Sequence, residues 1–485
     1  MADEDVNRTG PQTWREYLRD SKESWRVGRW IWDAMTTPVT VRLTKTLVAF
    51  MTLTTVCDMA LPFIVTLATN AVTGRNNWHL VLTVLLPAYL VLLLISRIGR
   101  HRQGKARESL QGLSWGALDE HITKSLFGKS MGQILQEGSV FHVSNIDKGR
   151  WKAIDLYNTI VNDGIPTLMM LSVSYVFLWF LSPVGGLIMT GTIISYVVWM
   201  LYLSQRVIRV CAPIEKDLRF LNRRRVERWE KIERVTTSAQ KDTEQEELRT
   251  DFNAAIAQST SFWADWYMIR ADIRELINSF GVILCLIWGF YLVWRDGPGV
   301  VGILWSLYWW SKTISDHLWR VGHIEREFNW YMPTVRNLMQ AMQIVPDVME
   351  RTDAIELGQN IPISITFEGV SHAYNNGSSD SPDGATKGEH TLRNVSFSIN
   401  IGERVALIGP SGVGKTTIMR LLLRYNDPDH GRILINGHDL RDLRLASFMR
   451  NIGYIPQSPQ VVDGTIRYNL WYSLTPKDRE SMADD

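Results

Sequence analysis

The chain has 485 residues, long enough for more than one domain, with 45% hydrophobic residues, 20 tryptophans and a formal net charge of +2. So balanced a charge gives no reason to expect a nucleic-acid partner. Three widely spaced cysteines, Cys57, Cys211 and Cys285, suggest neither a disulfide scaffold nor a metal cluster, and the acidic start Met1-Ala2-Asp3-Glu4-Asp5 argues against an ordinary cleaved signal peptide. Mean hydropathy is near zero (−0.08) only because charged stretches separate long apolar runs between about residues 46 and 310, which is a membrane pattern.

Residues 1–45 read as a cytoplasmic N-terminal segment. In it Trp14, Leu18, Ser21, Trp25 and Trp32 fall at near-helical spacing with Arg15, Arg19, Lys22, Arg26 and Arg29 interleaved. That predicts an amphipathic helix lying in the cytoplasmic membrane interface, with a soluble partner-binding helix as the alternative.

Residues 46–344 read as a membrane domain of about six spans: Thr46 to Val72, Trp78 to Ile98, Ile165 to Leu181, Val184 to Leu203, Asn278 to Trp294, and Pro298 to Ile314. Short links follow the first, third and fifth runs. The links Gly99 to Gly164 and Ser204 to Ile277 are long, helical in composition and rich in Lys and Arg. The positive-inside bias therefore places the N-terminus and both long links in the cytoplasm. The long links predict charged helical stalks, and their turnarounds, near Gly138 to Phe141 and Gln240 to Glu247, are expected to touch a nucleotide domain and transmit its motion. Asp58 sits inside the first run, where an ionised carboxylate needs a partner or a water-filled cavity; a structural hydrogen bond is the commoner reading and a substrate or ion role the sharper one. Trp305, Tyr308 and Trp309 share one helix face, either lining a cavity for an apolar or cationic substrate or, as is commoner, gathering at the interface. Pro62 and Pro87 are candidate kink sites.

Residues 345–360 read as a linker, and residues 361–485 as a strand-rich nucleotide domain. Strands are predicted at Ile363 to Phe367, Thr391 to Asn400, Arg404 to Ile408, Gly431 to Gly437 (closed by an Asn-Gly turn) and Ile452 to Gln457, with a polar insertion at Asn375 to His390. Between strand and helix lies Gly409-Pro410-Ser411-Gly412-Val413-Gly414-Lys415-Thr416, the pattern G-x-x-x-x-G-K-[ST], followed by the helix Thr416 to Leu423. Glycines let the loop backbone turn its N–H groups inward, and the helix N-terminus adds partial positive charge, so a polyphosphate fits. Gly409, Ser411, Gly412, Val413, Gly414, Lys415, Thr416 and Thr417 are the candidate phosphate-binding residues. Lys415 is expected on the β- and γ-phosphates and the Thr416 hydroxyl on Mg²⁺.

The run Val370-Ser371-His372-Ala373-Tyr374, then Leu392 to Phe397, the phosphate loop, Tyr454-Ile455-Pro456-Gln457 and Gly464 to Leu470 resembles the ATP-binding cassette of ABC exporters. Six spans with two long cytoplasmic links before a C-terminal cassette resemble a half-transporter of that family over nearly the whole chain. The resemblance implies an α-helical polytopic membrane domain followed by an α/β P-loop nucleotide-binding domain, here incomplete. It implies ATP and Mg²⁺ as cofactors, Tyr374 as the aromatic on which adenine stacks, and Gln457 as the residue approaching Mg²⁺ and the attacking water. It also implies a lipid bilayer and a second half-transporter subunit, in a homodimer or heterodimer, as partners.

The family's serine-glycine-glycine signature, its apolar strand ending in Asp-Glu and its later histidine are not found between Gln457 and Asp485. The expected reading is a truncated ABC exporter subunit that couples ATP to export of an unidentified substrate in its full form but does not hydrolyse ATP as given. The alternative is a nucleotide-binding membrane regulator or non-catalytic partner. A membrane-anchored P-loop kinase or GTPase fits the Tyr374 and Gln457 contexts less well. Strand-forming segments deprived of central neighbours are expected to leave an exposed sheet edge.

Overall fold

The computed structural model describes residues 14–75, 77–136, 141, 143–374, 391–456 and 461–474. They fall into two compact units: a helical one of residues 14–123 with 143–342, and a mixed one within residues 124–142 and 343–474.

The helical unit comprises α1 (Trp14–Met35), α2 (Pro38–Arg75), α3 (Leu86–Phe127), and, after an excursion into the other unit through α4 (Met131–Gln136), α5 (Val143–Asn158), α6 (Ile165–Leu181), α7 (Pro183–Glu230), α8 (Ile232–Thr237), α9 (Lys241–Ser261), α10 (Ile269–Asp296) and α11 (Ile303–Gln343). Short π segments lie at Val81–Leu85 and Thr159–Gly164, just ahead of Pro87 and Pro166. Each proline lacks the N–H that would have met the carbonyl four residues back, and the wider turn sits where that bond is missing. The predicted stalks are present: α7 has 48 residues, about 70 Å of helix against a hydrocarbon layer of about 30 Å. Its charged end pairs with α9 through Arg224–Asp251 and Arg228–Glu244, both at 2.8 Å. Gln240 to Glu247 belongs to this pairing within the helical unit.

Among the described residues, five helices are long and apolar enough to cross a membrane: Pro38–Gly74, Trp78–Phe127, Val143–Leu181, Pro183–Gln205 and Lys241–Asp296. The sixth predicted run opens with a 3₁₀ turn and continues into α11, which is not among those five. Ser306 Oγ lies 2.5 Å from Thr66 Oγ1, Gly302 N donates to Asn70 Oδ1 at 2.7 Å, and Trp310 Nε1 donates to the Met59 carbonyl at 3.1 Å. Between membrane helices such bonds and close backbone approach replace the hydrophobic effect as glue, so a helix can pack as a span while scoring as too polar for one. Leu307, Trp310, Ile314 and Leu318 of α11 sit in the unit's core with Met59, Leu178, Met189 and Tyr196. Trp305, Tyr308 and Trp309 stay on the exposed side.

Asp58 finds its partners on α3, accepting from Ser96 Oγ at 2.6 Å and pairing with Arg100 at 3.2 Å, as the structural reading of that carboxylate requires. On α1, Val27, Ile31, Ala34 and Met35 are buried, whereas Trp25 and Trp32, on the opposite face, are 77% and 42% exposed.

In the mixed unit, β1 (Ile365–His372), β2 (Leu392–Ile399), β3 (His430–Ile435) and β4 (His438–Asp439) form an antiparallel sheet in the order β2-β1-β3-β4. Phe367 and Phe397 stack at 4.5 Å across β1 and β2. Asn436 and Gly437 take φ of 48° and 83°, the double left-handed turn that an Asn-Gly hairpin favours. Two predicted strands do not join this sheet. Arg404 to Ile408 and Ile452 to Pro456 are without ladder bonds, and Ile408 and Ile455 are each 92% exposed. A fully apolar strand is stable only between neighbours that cover both faces, and none flanks these segments among the described residues. The expected linker is fastened to this unit: Ile355 N donates to the Asp442 carbonyl at 2.8 Å, Arg444 N to the Ile355 carbonyl at 2.8 Å, and Arg351 pairs with Asp442 at 3.0 Å.

At Gly302, just ahead of α11, a Cβ would lie 2.3 Å from the Thr66 carbonyl oxygen, whereas nothing lies within 4 Å of one at Gly104. Gly302→Ala is expected to destabilise the detergent-solubilised chain by about 1–3 kcal/mol. Gly104→Ala should be neutral or stabilising by up to about 1 kcal/mol. Thermal unfolding of the two variants checks the contrast.

Candidate functional site

The glycine loop leads directly into α12 (Lys415–Leu422). Gly412 and Gly414 have φ of 85° and 101°, values an L side chain resists. At Gly414 there is also no room: a Cβ would lie 2.6 Å from Leu392 Cδ2 and 3.2 Å from the Thr391 carbonyl, so the start of β2 presses against the loop's last turn. Lys415 Nζ donates to the Gly409 and Pro410 carbonyls at 2.8 and 2.7 Å, which holds the ammonium over the loop. Ser411, Gly412, Val413 and Thr416 are exposed, and Thr417 is buried.

Tyr374 is brought beside this helix. Its hydroxyl donates to Thr417 Oγ1 at 3.4 Å, Arg420 Nη1 donates to that hydroxyl at 3.5 Å, and the His372 ring meets the tyrosine ring edge-to-face at 5.1 Å. Asp429 Oδ2 accepts from the Ala373 N–H at 2.7 Å and so anchors the strand end that presents Tyr374. The structure thus unites the expected base-stacking residue with the expected phosphate loop. Gln457 and the Asn375 to His390 insertion lie outside the described residues.

These observations fit a bound nucleotide triphosphate with its Mg²⁺. A lysine ammonium and a helix N-terminus converge on a glycine-lined turn, the exposed Thr416 follows the lysine, and an aromatic ring stands on the flank.

Sequence reasoning missed Arg420 and Asp429. Arg420 had a weak signal, three residues after Thr417 on one helix face. Asp429 is 55 positions from Tyr374 and had none.

The same helix is met at its other end. α4 follows the first stalk, and its Gly132 N–H donates to the Tyr425 carbonyl at 3.0 Å; a Cβ on Gly132 would lie 2.2 Å from Asn426 Oδ1. Gln133 Nε2 donates to the Val345 carbonyl at 2.8 Å, and Lys129 Nζ to that of Ile344. The first turnaround therefore meets the nucleotide unit at Lys129 to Gln133, somewhat earlier than Gly138 to Phe141; residues 138–140 lie outside the described residues. Burial pushes the Tyr425 phenol above its ordinary range, with Tyr454 adding to the shift and Arg420 opposing it.

Residues 392–484 match the protein-family model described as ABC transporter. A relative described as an ATP-dependent lipid A-core flippase, from Syntrophus aciditrophicus, is 30% identical over 42% of this chain and 32% of its own length. The chain thus spans about a third of that relative. An ATM1-type heavy metal exporter from Novosphingobium aromaticivorans is 24% identical over 88% of this chain and 68% of its own length. Among solved structures, one described as a bacterial Atm1-family ABC exporter with ATP bound superposes with a TM-score of 0.71 at 22% identity, covering 92% of this chain and 77% of that one. The residues that match the ABC transporter model follow the long apolar helices in the chain.

Two glycines separate backbone strain from steric exclusion. Gly412→Ala meets only an unfavourable φ, which is worth about 1–2 kcal/mol, or roughly tenfold in ATP affinity. Gly414→Ala meets the same strain plus the Leu392 contact and is expected to weaken ATP binding considerably further; calorimetric titration of both variants ranks them.

Proposed function

We propose that this chain, a multi-pass membrane protein with a C-terminal ABC cassette, is the ATP-binding subunit of an exporter that moves a substrate out of the cytoplasm. The single observation carrying this reading is the shared helix α12. Its first turn is the phosphate loop, and the residues just after it receive the Gly132 amide of the stalk turnaround. A nucleotide that reorients this helix changes the seat of a segment continuous with α3, which is the physical requirement for coupling.

In this reading Lys415 meets the β- and γ-phosphates, Thr416 ligates Mg²⁺, the loop N–H groups from Ser411 to Thr417 hold the remaining phosphate charge, and Tyr374 stacks on adenine. Gln457 is assigned to the Mg²⁺ and water side of the site. Bound Mg²⁺ would neutralise phosphate charge and polarise the terminal phosphoryl group. The cassette and both stalk links face the cytoplasm, and the exposed Trp25 and Trp32 of α1 rest in the adjoining lipid interface. Two such subunits assemble, since each supplies one membrane half.

The test uses the purified chain in lipid nanodiscs. MgATP is expected to bind and Lys415→Ala to abolish binding. Equal binding by Lys415→Ala would sink the reading.

Coupling has its own probe in Gly132→Val, which cannot seat beside Tyr425 and Asn426. This variant should keep ATP affinity but lose the slowing of amide exchange across Met131 to Gln136 that ATP induces in the native chain. Unchanged exchange would argue against the contact as the coupling route.

A further inference from the structure

We propose that Arg420 is a positioning residue for base recognition: it holds the Tyr374 ring in place before nucleotide arrives. The proposal rests on the reading of Tyr374 as the adenine platform. Arg420 lies on α12, five positions beyond Lys415, which carries its side chain away from the phosphate loop and toward the strand end that presents Tyr374.

Three contacts act on that one ring. The Arg420 guanidinium carbon lies 6.0 Å from the ring centroid, and Nη1 lies 3.5 Å from the hydroxyl. The hydroxyl reaches Thr417 Oγ1 at 3.4 Å, and the buried His372 ring abuts the tyrosine at 5.1 Å and 83°. Each contact is long and weak alone. Together they restrict a side chain that sits at the very end of its strand, two residues past the last ladder position at His372. A stacking platform that is already oriented costs less ordering on binding, which is how preorganisation raises affinity without touching the ligand. The guanidinium also ties the platform to the helix that carries Lys415 and Thr416, fixing the spacing between base and phosphate sites.

The arrangement makes a distinctive demand. Arg420 should matter for nucleotides with a base and not for a bare polyphosphate. Binding of MgATP and of magnesium tripolyphosphate to the full chain in nanodiscs, followed by calorimetry, separates the two. Arg420→Met keeps the aliphatic stem and removes the charge and donors. It is expected to weaken MgATP about three- to fivefold, the size of an exposed cation–π contact, and to leave tripolyphosphate unchanged. Arg420→Lys should recover part of the loss. Tyr374→Phe should resemble Arg420→Met, and the double variant should be no weaker than either single one, because both remove the same linkage. Equal weakening of both ligands by Arg420→Met would place Arg420 on the phosphates and overturn the proposal; so would undiminished MgATP affinity. If Tyr374→Ala weakens MgATP while Arg420→Met does not, the platform stands and the positioning role falls. If Tyr374→Ala has no effect, both fall.

Discussion

The nucleotide unit depends on one eight-residue helix that has no freedom at either end. At its start, Gly414 is pinned against Leu392 with a backbone conformation closed to other residues, which fixes where Lys415 and Thr416 begin. Just past its end, the Tyr425 carbonyl accepts the Gly132 amide at a distance that leaves no room for a side chain on the incoming residue. A short helix is stiff over one or two turns, so a shift at the phosphate loop must appear at Tyr425 and Asn426. Arg424 strengthens the far end: its buried guanidinium pairs with Asp427 at 3.1 Å and donates to the Met349 carbonyl at 3.2 Å, tying the turn to the strap that leaves the last membrane helix.

The helical unit solves a different problem. Lipid offers no hydrophobic reason for apolar helices to associate, so α2 and α11 meet through Thr66, Asn70, Gly302 and Ser306, with glycines at the closest approach. Among the described residues, α11 is not one of the five helices long and apolar enough to cross a membrane. Asp58 obeys the same logic, since its carboxylate is answered on the neighbouring helix by Ser96 and Arg100. Intramembrane polarity in this chain marks where helices are joined.

The phosphate loop, its helix, the Asn436-Gly437 hairpin and the long stalks were all legible in the sequence. Each is written in local chemistry: glycine positions, a turn dipeptide, or a run of apolar or charged residues at helical spacing. Arg404 to Ile408 and Ile452 to Pro456 were read as strands on the same kind of local evidence. They fail because a strand's stability comes from neighbours, and apolar composition without flanking strands leaves Ile408 and Ile455 exposed. Pro346 to Gln359 read as a linker because its composition is loop-like, yet its backbone bonds to Asp442 and Arg444, almost ninety positions further on.

By itself the sequence determined that this protein has membrane-crossing helices and a phosphate-binding loop, because both follow from residue types within one or two helical turns. Only the tertiary structure decided what that loop is connected to. The seat of Gly132 on Tyr425, the fastening of Tyr374 by Asp429 and Arg420, and the docking of the linker all join residues far apart in the chain. Such contacts depend on backbone approach and side-chain direction in three dimensions, which no local pattern of residue types encodes.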